Sequence, residues 1–449
     1  MSDRAQKALK YFREEKDFVD ARVKGGIELY RKGNAKIRIV DENGNPIKGA
    51  VIDAKEVKQE FKFGANIFML EGFDTEEENQ LFKTKFLELF NLATLPFYWK
   101  DVEPEEGKLR FDVNSPWIYR RPPIDLCIDF CLKNGVEPKL HCLNYSEHHA
   151  PWAAVRSINE IKELMIKRFR EIGERYAKII PKIEVTNETF VIGNRDYHNP
   201  FFYEDDYVEW SFREAQKYFP ANELIINDAD VIWDSVNAHT NRNPYYMQIE
   251  RMLRQNVPIH GIGMQYHNLA WKREDEAAVL VKPDGRYNPR HLCAVMDKFA
   301  ELNLPMQITE MTIPSYSWDP EDEAVQAEIL KNVYSLFFAQ KNMEAIIYWD
   351  MPDGYAAASQ PRKMDVGWNV FYGNLLRPDL TEKEGFKVLK KLIREEWVTN
   401  TQIMTDDNGY SNLRGFHGEY EIAIHANDKT VTKTMNLSSK GHNNYSFVI

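Results

Sequence analysis

Residues 182–188 read KIEVTNE, a short, apolar, β-prone run that finishes in Asn187 and Glu188. A helix-like stretch precedes it at 158–178, and another follows at 206–218. Moving outward, the same unit recurs. Upstream lie FKFGANIF (61–68), NLATLPF (91–97) and VEPKLHCL (136–143); downstream lie ELIINDA (223–229), IHGIGMQYH (259–267), PMQITEM (305–311) and EAIIYWDM (344–351). Eight such runs start about 30 to 46 residues apart, with further helix-like stretches at 290–302 and 322–341. Parallel strands need helical crossovers, so this rhythm predicts an α/β fold, a (β/α)₈ barrel over 61–397. No residue repeat accompanies the period, which excludes a solenoid.

The flanks differ from the centre. Residues 1–35 carry apolar residues at helical spacing (Ala8, Leu9, Phe12, Val19, Val23, Ile27) and predict one or two amphipathic helices. KIRIV and AVIDAKEV flank the turn-rich Asp41–Pro46, which predicts a β-hairpin over 36–60. From 398 to 449, GEYEIAIHA and YSFVI read as strands and DDNG and SSKG as turns. Neither terminal β segment can bury a face alone, so the two are expected to build one small accessory sandwich.

Composition removes several classes of function. With 58 basic and 69 acidic residues the chain carries a formal charge of −11 and no Lys/Arg-rich run, which argues against nucleic acid and anionic membranes as partners. At 43% hydrophobic and 13% aromatic residues, a large core is affordable and global disorder is excluded. No apolar run reaches the ~18 residues of a membrane span. The charged start MSDRAQKALKYFREEKDF has no secretion core, so a native start there implies a cytoplasmic protein. Four cysteines (Cys127, Cys131, Cys142, Cys293) form no CxxC pair and read as buried thiols in a reduced compartment.

The runs end in residues able to do chemistry: Asn66, Lys100 just beyond the second, His141, Asn187-Glu188, Asn227-Asp228, Gln265 and His267, Glu310, and Trp349-Asp350. Any one of these could be a strand-end group bonding its own loop. Together, on a barrel, they converge on the C-terminal rim, where barrel enzymes place their sites. Glu188 and Glu310 are the central pair. Two carboxyl groups astride a glycosidic bond can divide the labour, one protonating the leaving oxygen and the other attacking the anomeric carbon. Their environments must then differ, because one has to hold a proton and the other a charge.

At this point the sequence resembles glycoside hydrolase family 10, the xylanase family of (β/α)₈ barrels. KIEVTNETF is similar to that family's WDVVNE segment, LIINDAD to FINDYN, GIGMQYH to GIGMQGH, and ITEMTIPS to ITELDI. The motifs fall on strands four to seven in family order, and the resemblance covers roughly 36–397. It implies Glu188 as acid/base and Glu310 as nucleophile, with no metal or other cofactor and a carbohydrate as partner. It also implies that Asn187 contacts the sugar 2-hydroxyl, that His141, Gln265 and His267 line the same subsite, and that Trp349 is an aromatic floor, with Trp368 a candidate second wall.

Departures from the pattern carry information too. FNLATLPFYWK keeps Lys100 but has Pro96 and Phe97 where the family holds the next sugar on the non-reducing side with Glu and Asn. Tyr145 replaces a tryptophan, and Glu310-Met311-Thr312 lacks the family's aspartate that supports the histidine matched by His267. Extra residues between Phe111 and Leu126 include Trp117, Tyr119, Arg120 and Arg121. The two arginines are expected either to bind an uronic-acid decoration or to pair with surface acids. Endo-acting xylan cleavage, an exo-acting or oligosaccharide-trimming glycosidase, and a non-hydrolytic carbohydrate-binding relative all stay open, as does oligomeric state.

Weaker signals read blandly. Glu147-His148-His149 lacks ligand spacing for a metal, three Asn-x-Ser/Thr matches are accidental without secretion, and Gly261-x-Gly263 lacks the third glycine of a dinucleotide loop.

Overall fold

The computed structural model of the chain describes residues 2–190, 199–229, 232–234 and 237–449. Its centre is a barrel of eight parallel strands: β3 (Lys62–Asn66), β4 (Leu92–Pro96), β5 (Glu137–His141), β7 (Lys182–Asn187), β8 (Glu223–Asp228), β9 (Gly261–His267), β10 (Met306–Thr312) and β11 (Met343–Tyr348). Each neighbouring pair is in parallel register; β11 pairs with β3, and β5 with β7, which closes the ring. A two-residue extension, β6 (Asn144–Tyr145), continues from β5 and pairs with β7 at the rim. Each of the eight runs read from the sequence overlaps a barrel strand. Continuous burial along β4, β7 and β10, and along β9 as far as Tyr266, accounts for their apolar runs, since both faces of a parallel barrel sheet are covered.

The helices start where local chemistry says they should. Thr75 and Ser157 form capping boxes with Glu78 and Glu160 at the heads of Glu76–Leu89 and Ile158–Tyr176. Asn243-Pro244, Asn288-Pro289 and Asp319-Pro320 open three others, the side-chain oxygen accepting free N–H groups while proline takes a position that needs no donor. Residues 3–31 form three short helices, Asp3–Ala8, Lys10–Glu14 and Lys16–Gly26, and a π-helical turn. They strap the outside of the barrel. Arg4 is their buried anchor, reaching Glu276 (2.8 and 3.0 Å), Asp322 and the carbonyls of Pro314 and Ser315.

The accessory β region is a sandwich of two sheets. One holds β13 (Tyr410–Phe416), β1 (Lys32–Val40) and β16 (Asn444–Val448); the other holds β12 (Asn400–Met404), β2 (Val51–Gln59), β14 (Gly418–Ala426) and β15 (Lys429–Leu437). Ile37, Ile39, Ile52, Leu413, Ile422 and Ile424 fill the space between them. The hairpin expected over 36–60 does not form. β1 and β2 lie in opposite sheets, and each pairs only with C-terminal strands. Both strands bury one alternating apolar face, and facing those stripes across the core removes more apolar surface than pairing them edge to edge. Among the described residues no helix is long and apolar enough to cross a membrane.

Candidate active site

Irregularities at the strand ends aim the two carboxyl groups. The β7–β8 register shifts between Glu184 and Thr186, and the β10–β9 register between Ile308 and Glu310. Such bulges turn side chains that a regular pleat would hide. Glu188 sits just past β7 with φ of 53°, a costly conformation for a non-glycine residue, and its N–H is held by the Asn227 carbonyl (3.1 Å).

A relay of amides joins the pair. Gln265 Nε2 donates to Glu188 Oε1 and to Asn187 Oδ1, both at 3.2 Å. Asn227 Nδ2 donates to Asn187 Oδ1 (2.8 Å) and to Glu310 Oε1 (3.1 Å), while the Thr309 hydroxyl donates to Asn227 Oδ1 (2.6 Å). His267 Nε2 meets Glu310 Oε2 at 3.1 Å. Gly263 makes room for this hub: a Cβ there would stand 2.6 Å from Asn227 Oδ1 and 2.8 Å from the Thr309 methyl.

Burial acts on both carboxyl groups. Burial pushes Glu188 up to about 8, and the charge of Glu310 pushes the same way, against partial relief from Tyr145 and Gln265. Burial pushes Glu310 up to about 7, where His141, Lys139 and the Asn227 amide favour its charge and Glu184 opposes it. Both carboxyl groups are thus held above the usual carboxylate range, and the pair titrates as a unit.

His141 is held from behind. Its Nδ1 bonds Glu184, which also pairs with Lys139, all three fully buried; its Nε2 meets the Tyr98 hydroxyl at 3.0 Å. Burial would raise Glu184, but Lys139 and His141 outweigh it and hold the carboxyl below its usual range. Trp349 stands edge-on to His141, His267 and Phe68 (5.3, 6.1 and 5.4 Å), and Trp368 edge-on to His267 (4.8 Å). Tyr145 donates to Glu147 (2.7 Å) and lies within hydrogen-bond reach of Glu188. Lys100 is half-buried on the short helix Trp99–Val102, its ammonium pushed down by burial.

Glu188, Glu310, His141, Tyr145, Asn187, Gln265, His267, Trp349 and Trp368 thus lie together at one rim, with Lys100 beside them. The arginines stand further along the same rim, each in an ion pair of its own. Arg120 is buried against Asp350 Oδ1 (2.7 Å), which Asn66 also holds (3.0 Å); Arg121 bonds Asp101 (2.9 Å) and lies 4.3 Å above the Tyr98 ring. Neither partner is an exposed surface acid. Glu184, Thr312 and Tyr98 support the site without having been chosen from sequence, and Asn227, read there only as a strand-end group, proves to be its hub. Thr312 stands where the resemblance leads one to expect an aspartate, its Oγ1 3.0 Å from His267 Nδ1, so a hydroxyl makes that contact in place of a carboxylate. Lys139 and Glu184 had a readable signal: opposite charges in mid-strand on two buried strands must find each other. Of the Glu147-His148-His149 run, His148 stacks on Tyr98 (3.9 Å) and His149 packs against Trp99 and Phe202. No cluster able to hold a metal occurs among the described residues.

A cavity of about 580 Å³ opens from Glu188, Gln265, His267 and Trp368 towards Trp271, Lys282 and Arg286. A parallel barrel whose C-terminal rim carries two linked, buried carboxyl groups beside packed aromatic rings has the architecture of the glycoside hydrolase barrels. Residues 54–377 match the model of glycosyl hydrolase family 10, and the chain belongs to that family. Among curated relatives it is 24% identical over 405 residues to anti-sigma-I factor RsgI6 of Acetivibrio thermocellus, covering 89% of this chain and 45% of that protein. It is 21% identical to endo-1,4-beta-xylanase 2 of Arabidopsis thaliana (90% of this chain, 33% of that one) and 25% identical to a beta-1,4-xylanase of Dictyoglomus thermophilum (56% and 70%). The chain thus spans less than half the length of the first two. Among solved structures, xylanase 10B of Thermotoga maritima superposes with a TM-score of 0.57 at 19% identity over 75% of this chain and 96% of that one. Xylanase 10B of Thermotoga petrophila, solved with xylobiose, gives 0.58 at 20% identity over 75% and 95%. At these identities the structural likeness speaks for the fold.

Proposed function

We propose that the protein is a retaining glycosidase that cleaves β-linked xylan-type chains, with Glu188 as acid/base and Glu310 as nucleophile. The observation that carries this reading is the linked pair itself: two carboxyl groups joined through Gln265, Asn187 and Asn227, both held above the usual carboxylate range by burial. In the first step a Glu310 oxygen attacks the anomeric carbon as the glycosidic C–O bond breaks, and the Glu188 proton passes to the departing oxygen. In the second step Glu188, now a carboxylate, takes a proton from water, whose oxygen attacks the anomeric carbon and frees Glu310. Asn227 and His267 each touch one oxygen of Glu310 and hold it for in-line attack. Asn187 accepts both internal donors on its carbonyl oxygen, which orients its amide nitrogen for the sugar 2-hydroxyl. Carbohydrate relatives support the substrate class: the names of several similar proteins are those of xylanases, and one similar structure holds xylobiose. A reducing, cytoplasmic setting is part of the proposal, supported by four buried, unpaired cysteines.

Azide separates the two roles. Glu188→Ala and Glu310→Ala should each lose several orders of magnitude in turnover. With an activated aryl β-xyloside, azide should rescue Glu188→Ala and yield the β-glycosyl azide, whereas Glu310→Ala should yield the α-azide. Products of inverted configuration from the unmodified protein would reject the double displacement.

A further inference from the structure

The two ends of the site are built differently. On the Glu188 side the cavity of about 580 Å³ runs out past Trp271 and Arg286. On the Glu310 side, beyond His141 and Trp349, the described residues form a wall: Phe68, Tyr98, Trp349, Asp350 and Arg120 are each at most 5% exposed. The segment 110–121 is clamped onto that wall. Arg110 donates to the carbonyls of Asp101 (2.6 Å), Pro116 (2.9 Å) and Arg121 (3.0 Å). Trp117 donates to the Leu70 carbonyl (3.3 Å) and packs so tightly on Gly72 that a Cβ there would stand 2.3 Å from the indole. Arg120 ties the segment to Asp350, beside Trp349, and Arg121 covers Phe68 and Tyr98 at 5.2 and 4.3 Å. A buried, hydrogen-bonded ion pair is costly to open, since parting it strands both charges. These contacts fix the segment in place.

Which end is blocked follows from the chemistry. The leaving group must sit against the proton donor, and the sugar that forms the covalent intermediate must sit over the nucleophile. The open cavity begins at Glu188, so it receives the leaving-group side; the wall stands behind the sugar over Glu310. We infer that segment 110–121, through Arg120, Arg121 and Trp117, closes the non-reducing side after one sugar, so that the enzyme removes single residues from non-reducing chain ends. This rests on the acid and nucleophile roles assigned above.

The test uses the full chain with two substrates. An aryl β-xyloside, with one sugar before the scissile bond, reads the glycosidase assignment alone. Xylohexaose tagged at its reducing end reads the stop. The expected result is turnover of the aryl glycoside, free xylose from the earliest time point, and tagged products that shorten one sugar at a time. Turnover of the aryl glycoside with tagged mid-length fragments and no early xylose would overturn the stop and leave the glycosidase reading standing. No turnover of either substrate would overturn the glycosidase reading, and the stop would fall with it. Two variants address the segment itself, Arg121→Ala and replacement of 113–119 by a short Gly-Ser link. At least one of them, folded by circular dichroism, should gain tagged mid-length fragments severalfold over the parent. Folded variants that both keep strict end-trimming would reject segment 110–121 as its cause.

Discussion

Glu188 holds its proton to about pH 8 because it is buried beside another carboxyl group, and that arrangement costs stability. Below the ordinary carboxylate range both folded and unfolded chains are protonated. As pH rises to about 8 the unfolded chain ionises while the folded site does not, so this group's contribution to stability falls across that window and then levels. Glu188→Gln should therefore melt a few degrees above the parent at pH 8, with the gap closing towards pH 4.5; a gap independent of pH would refute the link. Gly263 supports the same site from below. Gly263→Ala pushes on Asn227, which touches Asn187 and Glu310 together, and should lower kcat/KM about a hundredfold, the scale of an ångström misplacement. Wild-type kinetics in that variant would show the hub to be passive. At this scale the sequence spoke clearly for side chains at strand ends and poorly for their supports. Glu188 and Glu310 stand next to the chain features that mark them, whereas Thr312 matters only because three-dimensional packing brings its hydroxyl to His267.

Elements were legible where one period dominates. The eight strands and the helix Ile158–Tyr176 announce themselves through apolar runs and caps. The register shifts at Glu184/Thr186 and Ile308/Glu310 left no mark in composition, since a bulge is a property of the pair and not of one strand. The pairing of β1 was misread for a related reason: Asp41–Pro46 signals a turn in the chain, which says nothing about whether the strand after it returns to the same sheet. The N-terminal helices make their own prediction. Arg4→Met removes the guanidinium that Glu276 and Asp322 share and leaves both acids buried, which should cost about 3 kcal/mol. A urea midpoint unchanged by that substitution would mean the strap is ornamental to folding.

Across the whole molecule, the sandwich makes the barrel's two flanks depend on each other. Every strand partner of β1 and β2 lies within 400–448. Removing 398–449 should abolish amide-exchange protection over Lys32–Val40 and Val51–Gln59 while Lys62–Asn66 keeps it, and retained protection in β1 would contradict the shared core. The same interdependence sets a timetable for biosynthesis. The 340 residues between Gln59 and Asn400 must leave the ribosome before either early strand can meet a partner. At translation speeds of about 5–20 residues per second, that wait lasts roughly 17 to 70 s. Throughout it, two nascent apolar edges stand open to chaperones and to neighbouring polysome chains, long after the first barrel strands have begun to find one another.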